Sequence, residues 1–155
     1  SVPQVISQSV FDSKCSGDAR ICLVMFFPHI LDSGKDGRNK DIEMSQKIAQ
    51  TLMGARVSVL WVEGGAQPEL EKAFNVSDSY PTAAVVSVSK KLAAPYRGSW
   101  DQNKLTKFAN PASKYDGLGA LKGAIKIVKS EKWDGKDAAP VEEEFSLDDL
   151  MGDEL

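Results

Sequence analysis

The longest unbroken apolar stretch of the chain covers residues 21–27. Its sequence is Ile-Cys-Leu-Val-Met-Phe-Phe, and it is bounded by Gly17 and Asp18 on one side and by Pro28 on the other. A continuous run of this kind, mostly β-branched or aromatic, predicts a strand buried on both faces. Because helices must then cover both faces, the pattern predicts an α/β domain with this strand inside the sheet.

Apolar and polar positions on either side predict alternating helices and strands. A short helix carrying Val10 and Phe11 precedes the central strand. Residues 32–39 predict a loop, with Asn39 capping a helix that ends at Gly54. The apolar stripe of that helix consists of Ile42, Ile48, Ala49, Leu52 and Met53. A second buried strand at residues 57–62 and a helix with Pro68 at its first position follow, so the two strands should run parallel.

The apolar runs at residues 82–88 and 92–97 predict a β-hairpin, because only three residues connect them. Pro95 lacks a backbone N–H, which predicts that the second strand lies at the edge of the sheet. Ser99 and Gln102 match a capping box and predict a helix that Pro111 ends. Residues 124–128 predict either a short strand or a docked extended segment.

Charge is distributed unevenly along the chain of 155 residues, whose 42% apolar content suits one domain. Residues 1–136 carry 19 basic and 14 acidic side chains, whereas residues 137–155 carry eight acidic side chains and no basic one. The acidic, apolar-poor end predicts a solvated tail, with Trp133 as the one anchor that packs back. No apolar run approaches the roughly 18 residues of a membrane span, and the basic residues are not clustered, which disfavours membrane insertion and nucleic-acid binding.

The carboxyl end of a central strand is where α/β folds usually place their chemistry. Here it is followed by Pro28-His29-Ile30-Leu31, without a nucleophile paired to a base, a phosphate-binding loop or a metal-ligand cluster. His29 is the only histidine, and because it has no nucleophile or metal-ligand partner, we expect it to be a loop residue. The sequence therefore predicts no catalytic residue, no specific metal site and no cofactor.

The order β-α-β-α-β-β-α, with Tyr80-Pro81-Thr82 before the hairpin, resembles the thioredoxin fold. Several stretches are similar to the C-terminal, redox-inactive b-type domain of protein disulfide isomerases in which two catalytic thioredoxin domains come first. These stretches are residues 26–32, 37–39, 61–67, 133–137 and 153–155. The resemblance implies a mixed sheet with helices on both faces and a cis peptide bond before Pro81.

Catalytic members of that family carry Cys-Xaa-Xaa-Cys at the start of the helix after the central strand, where the helix N-terminus activates one thiolate. The resemblance implies that thiol chemistry belongs to domains upstream of Ser1. This domain would then contribute client binding and scaffolding in the lumen of the endoplasmic reticulum. Unfolded clients would contact side chains at the carboxyl end of the sheet, namely Phe27, Pro28, His29, Ile30, Tyr80 and Pro81.

Cys15 and Cys22 are the only cysteines of the chain. In an oxidising lumen we expect the two cysteines to form a structural disulfide. Two separate buried thiols remain an alternative, and so does a redox-active pair that would make the chain an oxidoreductase.

The resemblance and the composition together divide the chain into three parts. Residues 1–112 are expected to form the thioredoxin-like domain, residues 113–136 a Gly-containing extension docked on it, and residues 137–155 a disordered acidic tail. The last four residues, Gly152, Asp153, Glu154 and Leu155, resemble the Lys-Asp-Glu-Leu retrieval address except at the first position, which implies a retrieval receptor as a partner. Weak calcium buffering by the scattered carboxylates of the tail is an alternative function.

Overall fold

The computed structural model describes residues 2–17, 20–113, 115 and 117–138. The predicted acidic tail beyond Ala138, with the retrieval signal Gly152–Leu155, therefore lies outside the described residues. In chain order the elements are α1 (Gln8–Cys15), β1 (Ile21–Phe27), α2 (Ile30–Thr51), β2 (Val57–Glu63), α3 (Pro68–Phe74), β3 (Thr82–Ser87), β4 (Leu92–Pro95), α4 (Gln102–Ala109) and β5 (Gly119–Ala120). None of these helices combines the length and the apolar character needed to cross a bilayer.

The five strands form one mixed sheet in the order β2-β1-β3-β4-β5. β1 pairs in parallel with β2 and antiparallel with β3, as the central position of its apolar run predicts. Residues Pro3–Val5 extend the sheet beyond β2, because the N–H of Val5 donates to the carbonyl of Trp61 (2.8 Å) and the N–H of Trp61 donates to that of Pro3 (3.1 Å). The predicted α/β class with a mixed sheet is confirmed.

Side chains of β1 alternate between two buried clusters, one on each face of the sheet. Cys22, Val24 and Phe26 pack with α1 and α3, through residues such as Phe11 and Phe74. On the opposite face, the other β1 side chains pack with α2 and α4. Leu23, Met25, Phe27, Ile48 and Leu105 belong to that second cluster. Each such side chain contributes about 1.5–3 kcal/mol when fully buried, so β1 is the centre of the core.

The start of α2 corrects the loop predicted at residues 32–39. The helix begins at Ile30, where the Nδ1 atom of His29 accepts a hydrogen bond from the N–H of Leu31 (3.1 Å). Gly34 (φ 70°, ψ 171°) leaves the helical conformation, so α2 consists of two helical segments that meet at a kink there, and the other predicted loop residues lie within those segments. Asn39 is an exposed mid-helix residue rather than a cap.

The other end of α2 also departs from the prediction. Leu52 is the C-cap residue, and Met53 lies beyond it with 80% of its surface exposed. Met53 is therefore not part of the buried stripe, because the chain has already left the helical path at that residue.

Two details of the C-terminal half differ from the sequence prediction. β4 is not the outermost strand, since β5 pairs with Leu92 and Ala93. Pro95 lies past the end of this short pairing, where its missing N–H costs no ladder hydrogen bond. The N-cap of α4 is Asp101 instead of Ser99, because the Asp101 carboxylate accepts from the N–H of Lys104 (2.9 Å).

Residues 121–138 contain no helix or strand and lie along the body of the protein. The side chain of Gln67 forms two hydrogen bonds with the backbone of Val128, at 2.6 and 2.7 Å. The N–H of Ser130 donates to the carbonyl of Ile6 (2.9 Å), and the N–H of Trp133 donates to the side-chain oxygen of Gln4 (2.7 Å). These contacts fix an extended, docked segment rather than a strand at residues 124–128.

A disulfide joins Cys15, the last residue of α1, to Cys22 in β1. Its Cα atoms are 5.8 Å apart, and the two residues are 1% and 0% exposed. The bridge therefore ties α1 to the central strand within the core.

We expect the double variant Cys15→Ala/Cys22→Ala to lose about 2–3 kcal/mol of its free energy of unfolding, because the short covalent loop no longer restricts the unfolded chain. Urea denaturation followed by tryptophan fluorescence measures this loss. Wild-type protein in reductant should show the same shift, and the double variant should not respond to reductant. An equal midpoint for oxidised and reduced wild type would contradict the expectation.

Candidate functional site

Three segments of the chain meet at the carboxyl end of β1. The pairing of Phe26 with Thr82 places Pro81 opposite the last residue of β1. Phe27 pairs with Glu63 at the end of β2, and α2 begins three residues later at Ile30. The site is therefore formed by the start of α2, the end of β2 and the loop before β3.

The loop before β3 contains a cis peptide bond between Tyr80 and Pro81. The hydroxyl of Tyr80 donates a hydrogen bond to Glu71, and the other carboxylate oxygen of Glu71 accepts from the N–H of Gly65 (2.9 Å). The Tyr80 ring lies directly on Gly64, where a β-carbon would come within 2.6 Å of the ring. This arrangement holds the loop against the turn between β2 and α3, and it needs a glycine at position 64.

The same arrangement perturbs the ionisation of Tyr80. Burial raises the pKa of its hydroxyl above the usual value of 10.0, and the hydrogen bond to Glu71 and the negative charge of that carboxylate raise it further. The phenol therefore remains protonated over the physiological range and acts as a hydrogen-bond donor.

A buried ion pair connects the start of α2 to the end of β2. Arg38 is 1% exposed, and its Nη2 atom donates to Glu63 (2.9 Å) and to the carbonyl of Pro28 (2.8 Å). Its guanidinium lies 5.0 Å from the ring centre of Trp61 and 5.4 Å from that of Trp133. The charge is thus neutralised by a carboxylate and flanked by two aromatic rings, which is the usual condition for burying an arginine.

Sequence reasoning did not identify Arg38, Glu63 or Glu71 as part of this site. A signal for Arg38 exists in the sequence, because it falls on the same helical stripe as Ile42 and Ser45, at spacings of four and seven residues. A lone charge on the buried face of a helix indicates a partner in the core.

The structure removes Phe27 from the predicted client surface. Its side chain is fully buried and stacked on Trp61, with ring centres 5.2 Å apart. The continuous burial of β1 on both faces explains why its last residue points into the core. Pro28, Ile30, Tyr80 and Pro81 are half-buried, and His29 is exposed.

Leu31 is the exposed apolar residue that the sequence analysis missed at this site. It is 62% exposed in the first turn of α2, directly after the residues predicted to bind clients. The sequence predicts a loop from residue 32, so it does not show that Leu31 lies in a helical turn with its side chain outward.

No thiol lies at this end of the sheet. Cys22 pairs with Val86, four positions along β3 from Thr82, which corresponds to about 13 Å of strand. Among the described residues, no three His, Cys, Asp or Glu side chains are grouped so that they could hold a metal ion. The site instead offers an exposed leucine, half-buried prolines and a neutralised ion pair.

We expect Tyr80→Phe to reduce the free energy of unfolding by about 1–2 kcal/mol, because Glu71 loses a donor in a partly buried site. Chemical denaturation at neutral pH measures the loss. Tyr96→Phe is the matched control: its hydroxyl donates to the exposed carbonyl of Ser99, so about 0.5 kcal/mol or less is expected.

The same variant has a defined pH dependence. The raised pKa of Tyr80 contributes its full stabilisation below pH 10, and this is lost as the pH rises from 10 through the folded-state pKa, because the unfolded chain releases its proton first. Wild type should therefore lose more stability than Tyr80→Phe between pH 10 and about 12. Parallel stability curves would contradict the assignment.

Arg38→Ala should cost about 3 kcal/mol or more, because it removes the charged partner of Glu63 and the donor to the carbonyl of Pro28 and opens the space between two tryptophans. Thermal and urea denaturation measure the effect. The exposed Arg97 provides the control, and Arg97→Ala should stay within about 0.5 kcal/mol of wild type. Equal losses in the two variants would show that the buried pair is not stabilising.

Comparison with known proteins finds relatives of this sequence. The chain is 40% identical over 157 positions to "Protein disulfide-isomerase like 2-2" of Arabidopsis thaliana, covering 99% of this chain and 35% of the relative. It is 33% identical over 157 positions to "Protein disulfide-isomerase A6" of Homo sapiens, covering 98% of this chain and 36% of the relative. The chain thus spans about a third of the length of these relatives. No protein-family model matches it.

The fold has a counterpart among solved structures. The first thioredoxin domain of mouse protein disulfide-isomerase A4 superimposes with a TM-score of 0.51 at 23% identity, covering 71% of this chain and 74% of that domain. The chain is a thioredoxin-like domain, and its sequence relatives are proteins of the protein disulfide-isomerase type.

Proposed function

We propose that this chain is the non-catalytic thioredoxin-like domain of a protein disulfide isomerase and that it binds unfolded clients at the start of α2 and around Pro81. The observation that carries the proposal is the identity of the residues at the site. Where catalytic thioredoxin folds place Cys-Xaa-Xaa-Cys, this chain has Pro28, His29, Ile30 and the exposed Leu31. Its two cysteines are joined to each other elsewhere.

The surface suits transient binding of extended, apolar chain. Leu31 offers an exposed apolar side chain, and Ile30 and Pro81 add half-buried apolar area beside it. Covering one such leucine contributes at most about 1.5–3 kcal/mol, so a client is held weakly and released readily. Weak binding of this kind fits a domain that presents clients to catalytic neighbours.

Burial argues against the rival function, an oxidoreductase using Cys15 and Cys22. Exchange requires a thiolate to reach a disulfide sulfur, and these residues are 1% and 0% exposed. Their position at the far end of β1 also separates them from Pro81.

The location of the domain in the endoplasmic reticulum lumen is part of the proposal. The disulfide supports an oxidising compartment. Weak calcium binding would be an additional property of the acidic tail in this compartment.

Titration of the ¹⁵N-labelled chain with a reduced and alkylated, unfolded client protein tests the binding site. We expect the backbone amides of His29 to Leu31 and of Tyr80 to shift in a saturable way. Leu31→Asp should weaken binding about tenfold, because a charge replaces the exposed apolar contact. Met53→Asp is the matched control, since Met53 is 80% exposed beyond the other end of α2, and it should bind like wild type.

Two outcomes would overturn the proposal. Unchanged amides in the site at saturating client would exclude binding there. Reduction of insulin by the isolated chain, followed by turbidity and abolished in Cys22→Ser, would favour the oxidoreductase instead.

A further inference from the structure

The loop that follows α3 contains the sequence Asn75-Val76-Ser77. An asparagine followed two residues later by Ser or Thr, with any residue except proline between them, is the acceptor pattern for an N-linked glycan. None of the other three asparagines of the chain is followed by Ser or Thr at that spacing. The chain therefore contains one candidate acceptor for this modification.

Asn75 is exposed at the end of α3, and its side chain is available for a substituent. Its backbone is left-handed (φ 57°, ψ 37°), and its N–H donates to carbonyls of the last turn of the helix. Among the described residues, none forms a hydrogen bond with the side-chain amide of Asn75. By contrast, the side chain of Asn110 accepts from the N–H of Ala112 (2.9 Å). The fold thus uses the backbone of Asn75 and leaves its amide nitrogen free.

The rest of the motif is held at the surface of the domain. The N–H of Val76 donates to the carbonyl of Glu71 (3.1 Å), and the half-buried Val76 side chain packs against the buried cluster that includes Phe74. Ser77 is exposed, and within the described part of the chain its hydroxyl bonds only to the backbone of Ser79. Val76 therefore fixes the loop to the body, whereas the two residues that define the motif are exposed.

The surface beside Asn75 has room for a sugar. A cavity of about 430 Å³ lies there, between the loop and the strands β3 and β4. Its wall includes Thr82 of β3, Pro95 of β4 and the half-buried Tyr96. A glycan is a bulky, hydrophilic group that a folded domain must carry on its surface. The first sugar on Asn75 can lie over this cavity without entering the core.

We propose that Asn75 is the acceptor of an N-linked glycan, transferred from a lipid-linked pyrophosphate oligosaccharide in the lumen of the endoplasmic reticulum. In this transfer the Nδ2 atom of Asn75 forms a bond to the anomeric carbon of the first sugar, and the bond from that carbon to the pyrophosphate oxygen breaks. One amide proton is released and the lipid pyrophosphate leaves, so neither an oxidant nor a reductant is consumed. The proposal rests on the luminal location in the proposed function, because the donor is used in that compartment.

Expression of the full chain behind a cleavable, heterologous signal peptide, in eukaryotic cells that glycosylate secreted proteins, tests the site. We expect one heavier band in whole-cell extracts, which peptide-N-glycosidase returns to the mobility of the Asn75→Gln variant. Ser77→Ala should lose the heavier band, whereas Ser77→Thr keeps the hydroxyl and should retain it. Ser79→Ala is the matched control, since it changes an exposed serine of the same loop outside the motif and should be modified like wild type.

Two results would overturn the acceptor site. One is an unmodified chain in cells that modify a co-expressed glycoprotein, and the other is a glycan that persists in Asn75→Gln. Because transfer precedes folding, a variant that folds poorly still reports its modification.

The heterologous signal separates this site from the proposed location, since it directs the chain into the lumen in either case. A glycan on the signal-directed chain, together with an unmodified Asn75 in the native protein by mass spectrometry, would support the acceptor site and overturn the luminal location.

Discussion

Burial of β1 on both of its faces is the constraint on which the structure depends. Because successive side chains of a strand point to opposite faces and β1 has a strand on each side, they project into two separate clusters, and two helices cover each cluster. The connection from β1 to α2 then lies at one end of the sheet, beside the end of β2 and the start of β3. The site is a consequence of this topology, whatever residues occupy it.

At this site, side chains of the protein itself bind the backbone N–H groups at the start of α2. A thiol exchanger needs a thiolate whose charge is stabilised by a helix N-terminus. Here the N–H of Ile30 donates to Glu63 (3.3 Å), the carboxylate that also pairs with Arg38, and His29 caps the next N–H. The helix start is thus already satisfied by groups of the protein itself. The groups left to contact a ligand at this end of the sheet are apolar side chains and backbone. Such groups favour binding over a group-transfer reaction.

The sequence predicts β1 to β4 and α3 well, because long apolar runs and Pro68 leave few alternatives, but it does not predict the short strand β5. The sequence prediction fails where a single residue determines the structure of a longer segment. Only Gly34 leaves the helical conformation in a stretch whose composition is typical of a loop, and Asp101 takes the N-cap position predicted for Ser99. Arg38 and Glu63 are 25 residues apart, so their pairing depends on the register of β2 beside β1 and not on any local pattern.

The disulfide and the proposed client surface lie at opposite ends of β1. The disulfide fixes α1 to the beginning of the strand, whereas Arg38, Tyr80 and Leu31 lie at its end. Opening the disulfide therefore acts mainly through the unfolded state and leaves the contacts around Pro81 in place. By contrast, Arg38 contacts both the carbonyl of Pro28 and the ring of Trp133, so one buried side chain joins the start of α2 to the docked C-terminal segment at residues 121–138.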